Sequence, residues 1–450
     1  FLVAVGVLMQ IGLFVPVIKK FASKHIKPII AQPNNKLFTA GSCFLTVLCG
    51  GLISSALIAD SPLEFVDVTY FYHPLWHVLS TFCFAAGTFL VWFRVFYWLS
   101  NPTFKVIFDK AVWVLSGVML VNYMFFGRDL GNISADLRYD DNGGHLVHSA
   151  KSQIINIAVV CILAVVLFFI ASKWKKQVTS ILLVGTLAVS VMAGVNVHTI
   201  KKSVDTVSVS DSKEIPKFNM DKNGKNVVVI MLDRAVGTYV PYIFNENPEL
   251  KEQFDGFTYY SNTVSFGMTT NFAVPSMLGG YEYTPVEMNK RDTEPMVDKH
   301  NEALKVMPVL FLQNNFDVTV CDPTYANYSW IPDLSIYDDY PEIDAYVTKD
   351  KFESVEMKEQ SINVNRRNFF CYSLMKCLPL SVQGFIYATG TYRRTQLSSE
   401  EYFFGQAPQG LSVATGCSKQ FLKNYTVINK MPDMTRITQT GKNNYLFFET

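Results

Sequence analysis

Apolar residues gather into six long runs over the first 200 positions, at about residues 1–18, 37–59, 75–99, 106–126, 154–172 and 178–197, separated by polar, Pro- or Gly-containing breaks. Roughly 20 consecutive apolar residues carry a helix across a bilayer, so the pattern predicts a bundle of about six transmembrane helices over residues 1–198. A polar stretch at 199–225 reads as a linker, and beyond it the pattern changes. Residues 226–233 (Asn-Val-Val-Val-Ile-Met-Leu-Asp) form a short continuous apolar run closing on Asp233, as expected of a parallel strand buried on both faces. Residues 256–260, 318–321 and 445–448 also read as strands, and helix-like stretches near 276–278, 302–313 and 369–375 alternate with them. That order predicts an α/β domain over 226–450, with 226–233 as a central strand.

Of the 450 residues, 49% are hydrophobic and 17% charged, which excludes a disordered chain, while the six runs exclude an ordinary soluble one. The net charge of +1 divides into +6 over residues 1–200 and −5 over the rest. Neither half has the dense basic surface that nucleic acid requires, so nucleic acid is not an expected partner. Lysines in the 19–36 loop, at Lys105 and Lys110, and at Lys173, Lys175 and Lys176 alternate with acidic loops at 60–67 and 129–141. By the positive-inside rule this puts the C-terminal half on the extracytoplasmic side, with Lys201 and Lys202 running against the trend. The positive charges of the first run follow it rather than precede it, so it reads as a membrane helix and not as a signal peptide. No metal-type spacing links the eight cysteines; Cys371 pairing with Cys377 or Cys417, and unpaired buried thiols, are both open.

Ligands of open α/β sheets bind beyond the carboxyl ends of the strands, which is where Asp233 falls. Its bland alternatives are a helix cap or a partner for Arg234. Residues 261–280 follow a strand and open a small helix that contains Thr269, Thr270 and Asn271. A hydroxyl at a helix N-terminus meets free N–H groups and the positive end of the dipole, which suit an anionic ester; simple capping by either threonine is the other reading. His300 precedes an amphipathic stretch and is expected at the surface, with a reach into the site as the alternative. Asp322 and Asp333 follow apolar strand-like segments and are expected in capping or turn roles, with substrate binding as the alternative. His73, His77, Asp140, Asp141, His145 and His148 offer a polar mouth at the bundle's outer end.

An apolar strand ending in an acid, then Thr270 37 residues later, then Val274-Pro275, a small residue and Gly, resembles the sulfatase-like branch of the alkaline phosphatase superfamily. With several spans before an exported domain, the chain is more closely similar to lipoteichoic acid synthases and lipid A phosphoethanolamine transferases. The resemblance implies an alkaline phosphatase/sulfatase-like α/β fold, a divalent metal (zinc or manganese) bound by Asp233 and Thr270, and Thr270 as nucleophile. The family's Thr-x-x-x-Val-Pro pattern selects Thr270 over Thr269. Asn271, His300 and Arg234 are then candidates for substrate contact. The sulfatase signature Cys-x-Pro-Ser-Arg is replaced here by Ala273-Val-Pro-Ser-Met277, which disfavours sulfate esters. Phe266 and Ser276 stand where phosphoethanolamine transferases have cysteines. Beyond residue 200 the only histidine is His300, so the family's remaining metal ligands are expected after residue 450, in a continuation of the catalytic domain. The implied protein is a bacterial multi-pass membrane enzyme that transfers or hydrolyses phosphoglycerol- or phosphoethanolamine-type groups on lipids or lipid-linked envelope polymers. The alternative is a non-catalytic membrane protein whose α/β ectodomain binds or scaffolds.

Overall fold

The computed structural model describes residues 32–67, 69, 72–127, 130–131, 133–139, 144–205, 215–233, 235–393 and 419–450. The first expected span, Arg234, Asp140, Asp141 and Cys417 lie outside the described residues. The N-terminal half is a bundle of α1 (Asn35–Asp60), α2 (Leu75–Leu99), α3 (Pro102–Val121), α4 (Ala150–Lys173) and α5 (Lys175–Asp205). Among the described residues, α1, α2, α4 and α5 are long and apolar enough to cross a membrane, and they mark a membrane protein. The run expected at 106–126 is also helical, α3 continuing through a π-helical turn to Phe126. With Lys105, Asp109 and Lys110 near its start, it is not one of those four.

Local chemistry sets where these helices begin. Asn34 accepts from the Lys36 and Leu37 N–H groups at the start of α1, Asn101 from Phe104 at the start of α3, and Ser149 from Ser152 at the start of α4. Lipid offers no hydrogen bonds, so hydroxyls inside the bundle turn back on their own helices: Thr46 donates to the Ser42 carbonyl at 2.8 Å and Thr81 to that of His77 at 2.7 Å. Close packing needs a glycine at position 50, where a Cβ would lie 2.7 Å from the Phe82 Cα of α2.

The C-terminal half holds a four-stranded, fully parallel sheet in the order β2 (Asn226–Met231), β6 (Asn443–Glu449), β3 (Phe316–Cys321), β4 (Ile343–Tyr346). A smaller parallel pair joins β1 (Phe218–Asp221) to β5 (Thr435–Thr438). One face of the main sheet packs under α6 (Thr270–Gly279) and α7 (Met296–Gln313), through Val274, Leu278 and Leu304 against Val318, Val320, Tyr445 and Phe447. The other face packs Leu446, Phe448 and Cys321 against Phe218 and against Val427 and Met434 of α10 (Lys419–Met434). Strands β3 and β6 are thus the buried pair.

Three expectations need correction. Among the described residues strand β2 lies at the edge of the sheet and not at its centre: β6 pairs along one side of it, and Val228, Ile230 and Leu232 are exposed at 42–47%. A continuous apolar run cannot distinguish the two positions, because the strand that takes the inner one, β6, is remote in the sequence. Residues 256–260 form no strand; Phe257 and Tyr260 are solvent-facing and the stretch is a loop. The helix expected near 369–375 exists as α8 (Val355–Cys377), but it packs against the membrane bundle and not against the sheet. Phe369 stacks on His77 of α2 with ring centroids 4.9 Å apart, and Phe370 lies over Phe84 at 6.1 Å. Near its start Lys358 pairs with Asp67 at 3.6 Å. After α8, α9 (Leu380–Tyr387) joins the bundle through Asn156, which accepts from the Leu380 N–H at 3.1 Å and donates to Asn122 at 2.8 Å. Cys371 and Cys377 are free thiols.

Candidate functional site

The carboxyl ends of the parallel strands bring four charged side chains to one edge of the sheet: Asp233 after β2, Glu449 at the end of β6, Asp322 after β3 and Lys349 after β4. Asp233 is held by its backbone, its N–H donating to the Thr450 carbonyl at 3.1 Å while the Thr450 N–H donates to that of Met231 at 3.1 Å. Helix α6 begins beside it. Thr269 is the N-cap in extended conformation, and its hydroxyl donates to Asn271 Oδ1 at 2.6 Å rather than accepting from the helix. The Thr270 hydroxyl instead donates to Asp233 Oδ1 at 3.2 Å, closing the 37-residue separation seen in the sequence. The backbone N–H groups of Thr270 and Asn271 have no acceptor among the described residues. The arrangement therefore pairs a nucleophile-type hydroxyl with a carboxylate that can take its proton, at a helix terminus that favours anions.

His300 is buried, against the expectation of a surface position. Its Nε2 lies 2.9 Å from the Thr324 carbonyl, its ring centroid is 5.0 Å from that of Tyr328, and Nδ1 has no hydrogen-bond partner among the described residues. Burial lowers its pKa, so the ring is neutral near pH 7. It touches the sheet edge indirectly, because the Thr324 hydroxyl donates to Glu449. The helix that begins at Met296, before His300, sinks the ring beneath residues 324–328, a long-range contact with no local sequence signal.

Glu449, Thr324 and Lys349 were not singled out by sequence reasoning. Burial, with Asp322 and Asp233 nearby, pushes the Glu449 carboxyl up to about 8. Burial pulls the Lys349 ammonium down to about 8; its Nζ sits 3.3 Å from the Trp330 ring centroid and donates to the Trp330 carbonyl at 3.1 Å. Glu449 had a usable signal, as the acid closing the apolar run at 445–448, whereas Lys349 had none. Asp322 is structural, as expected: it accepts from the Thr348 N–H at 2.7 Å and the Lys349 N–H at 3.3 Å, and burial raises its pKa. Asp333 accepts from Ser335 N–H at 3.0 Å as a helix cap. Of the polar mouth, Asp140, Asp141 and the His145 side chain lie outside the described residues, and the three described histidines are each engaged separately. His73 accepts from the Leu75 N–H, His77 is buried under Phe369, and His148 pairs with Gln383.

Zinc requires three or four protein ligands. Among the described residues Asp233 and Thr270 supply two oxygen donors, and no group of three His, Cys, Asp or Glu side chains gathers closely enough to hold an ion. The described residues do not by themselves fit the implied metal. Comparison of the chain with protein-family models, curated proteins and solved structures finds no match.

Proposed function

We propose that the protein is a membrane-anchored transferase or hydrolase of phosphate-linked groups, with Thr270 as nucleophile and Asp233 as its proton acceptor. The observation that carries this reading is the 3.2 Å contact from the Thr270 hydroxyl to Asp233 at the carboxyl edge of a parallel sheet. As Oγ1 attacks phosphorus, its proton passes to the Asp233 carboxylate, the P–O bond to the leaving alkoxide breaks, and the alkoxide takes up a proton from water. The free N–H groups at the start of α6 stabilise the phosphoryl oxygens. A second alcohol, or water, then displaces Thr270 from the phosphothreonine ester and the hydroxyl is regenerated. Packing of α8 and α9 against the bundle ties the α/β half to the spans and supports a substrate at the membrane, of the class of lipids or lipid-linked envelope polymers of phosphoglycerol or phosphoethanolamine type. In this reading the α/β half is extracytoplasmic and the membrane bacterial.

The test is turnover and adduct formation by the full chain in vesicles of phosphatidylglycerol or phosphatidylethanolamine. Thr270→Ala should lower turnover by about 10³-fold or more and remove the phospho-adduct seen by intact mass. Thr269→Ala should retain both. Undiminished turnover in Thr270→Ala overturns the assignment. The two-donor limit of the described site favours the rival, a non-catalytic ectodomain, which predicts no adduct under any condition.

A further inference from the structure

A groove of about 530 Å³ runs along the outside of α2, from Tyr72 and Trp76 past Leu79, Phe84 and Gly87 to Trp92. Trp76 and Trp92 are 16 residues apart, so the helix carries it over about 24 Å, most of a hydrocarbon core about 30 Å thick. Gly87 opens a π-helical turn, and a Cβ placed there would meet nothing within 4 Å, so the middle of the groove is open space. The walls along the helix are mainly aromatic and aliphatic, and the two hydroxyls among them, Ser80 and Thr88, donate back to the His77 and Phe84 carbonyls of the same helix. One end differs: Arg366 of α8 reaches it, 5.7 Å from the Tyr72 ring, and its side chain donates to Asn363 at 3.2 Å. Among the described residues Arg366 meets no carboxylate, and no acidic residue lines the groove.

An unpaired guanidinium at the end of an apolar slot on a membrane helix is complementary to an amphiphile with a phosphate at one end and a hydrocarbon tail behind it. We infer that the groove is a binding site for one anionic phospholipid of the bilayer, its phosphate on Arg366 and an acyl chain lying along α2 between Trp76 and Trp92. The lack of a lining carboxylate selects the class of headgroup, since the amine of a zwitterionic lipid finds no partner there. The site is independent of the Thr270 chemistry. It requires only the bundle and α8, and it stands or falls apart from catalysis.

The probes are phosphatidylglycerol and phosphatidylcholine added to delipidated full-length protein, read by native mass spectrometry. Wild type should retain one phosphatidylglycerol at least tenfold more tightly than phosphatidylcholine. Arg366→Gln should abolish that preference, Arg366→Lys should keep part of it, and Gly87→Leu should weaken both lipids by filling the slot. Because Cys83 also lines the groove, phosphatidylglycerol should protect it from maleimide, against a Cys83→Ser control. Equal retention of the two lipids by wild type, or unchanged preference in Arg366→Gln with a native elution profile, overturns the proposal. So does a dimer whose interface protects Cys83 without added lipid.

Discussion

Glu449 and Lys349, beyond the ends of two strands, hold their protons in opposite ways. The Glu449 carboxyl rises to about 8 by burial and the charges of Asp322 and Asp233, while an unfolded glutamate titrates near 4.3. Between those values the native state keeps a proton that the unfolded state has released, so stability falls as pH rises towards 8. Lys349, lowered by burial to about 8, behaves in the reverse sense: from 8 to about 10.4 the unfolded state holds the extra proton, and stability rises with pH. The two together give a minimum of stability near pH 8, with slopes of up to about 1.4 kcal/mol per pH unit on either side. Thermal midpoints in detergent from pH 5 to 10 measure it. Glu449→Gln should flatten the acid limb. At this scale the sequence revealed Asp233 and Thr270 because both stand at the ends of recognisable elements, one closing a strand and the other opening a helix. It misjudged His300, since burial under residues 324–328 is set by contacts remote in the chain.

Among the elements, β3, β6, α6 and α7 were legible as short apolar runs and amphipathic stretches, because their burial within one sheet repeats a local pattern. The same pattern misled at β2, whose valines look like those of an inner strand although its outward face has no cover among the described residues. Helix α8 shows a further limit. Phe369, Tyr372 and Met375 announce a buried face but not its partner, and the partner is the membrane bundle. That packing has a measurable worth. Phe369 is fully buried between Phe65 and His77, so Phe369→Ala should destabilise the protein by about 3–5 kcal/mol. Unfolding in detergent checks it, and a cost below 1 kcal/mol would mean that α8 rests on the bundle only loosely.

On the scale of the whole molecule, the chain does not divide at its polar linker. Residues 355–387 leave the α/β half and rejoin the spans, α8 through Phe369 and α9 through Asn156. The bundle expressed alone, as residues 1–205, should therefore expose the face of His77, Phe65 and Cys49 and elute as aggregate, where the full chain elutes as a single species. The sequence displayed the spans because hydropathy is read locally. It hid this return, because α8 has none of the continuous apolar character that identifies a span.

The return also has a consequence in time. Val355 follows the end of α5 at Asp205 by 150 residues, which a ribosome adding 5–20 residues per second takes about 10–30 s to make. For that interval the inserted spans stand with one side of their packing unmade, and they depend on lipid or on insertion factors to keep it covered. A defect in the synthesis or folding of the α/β half would then register first as a membrane-assembly defect, before any chemistry is lost.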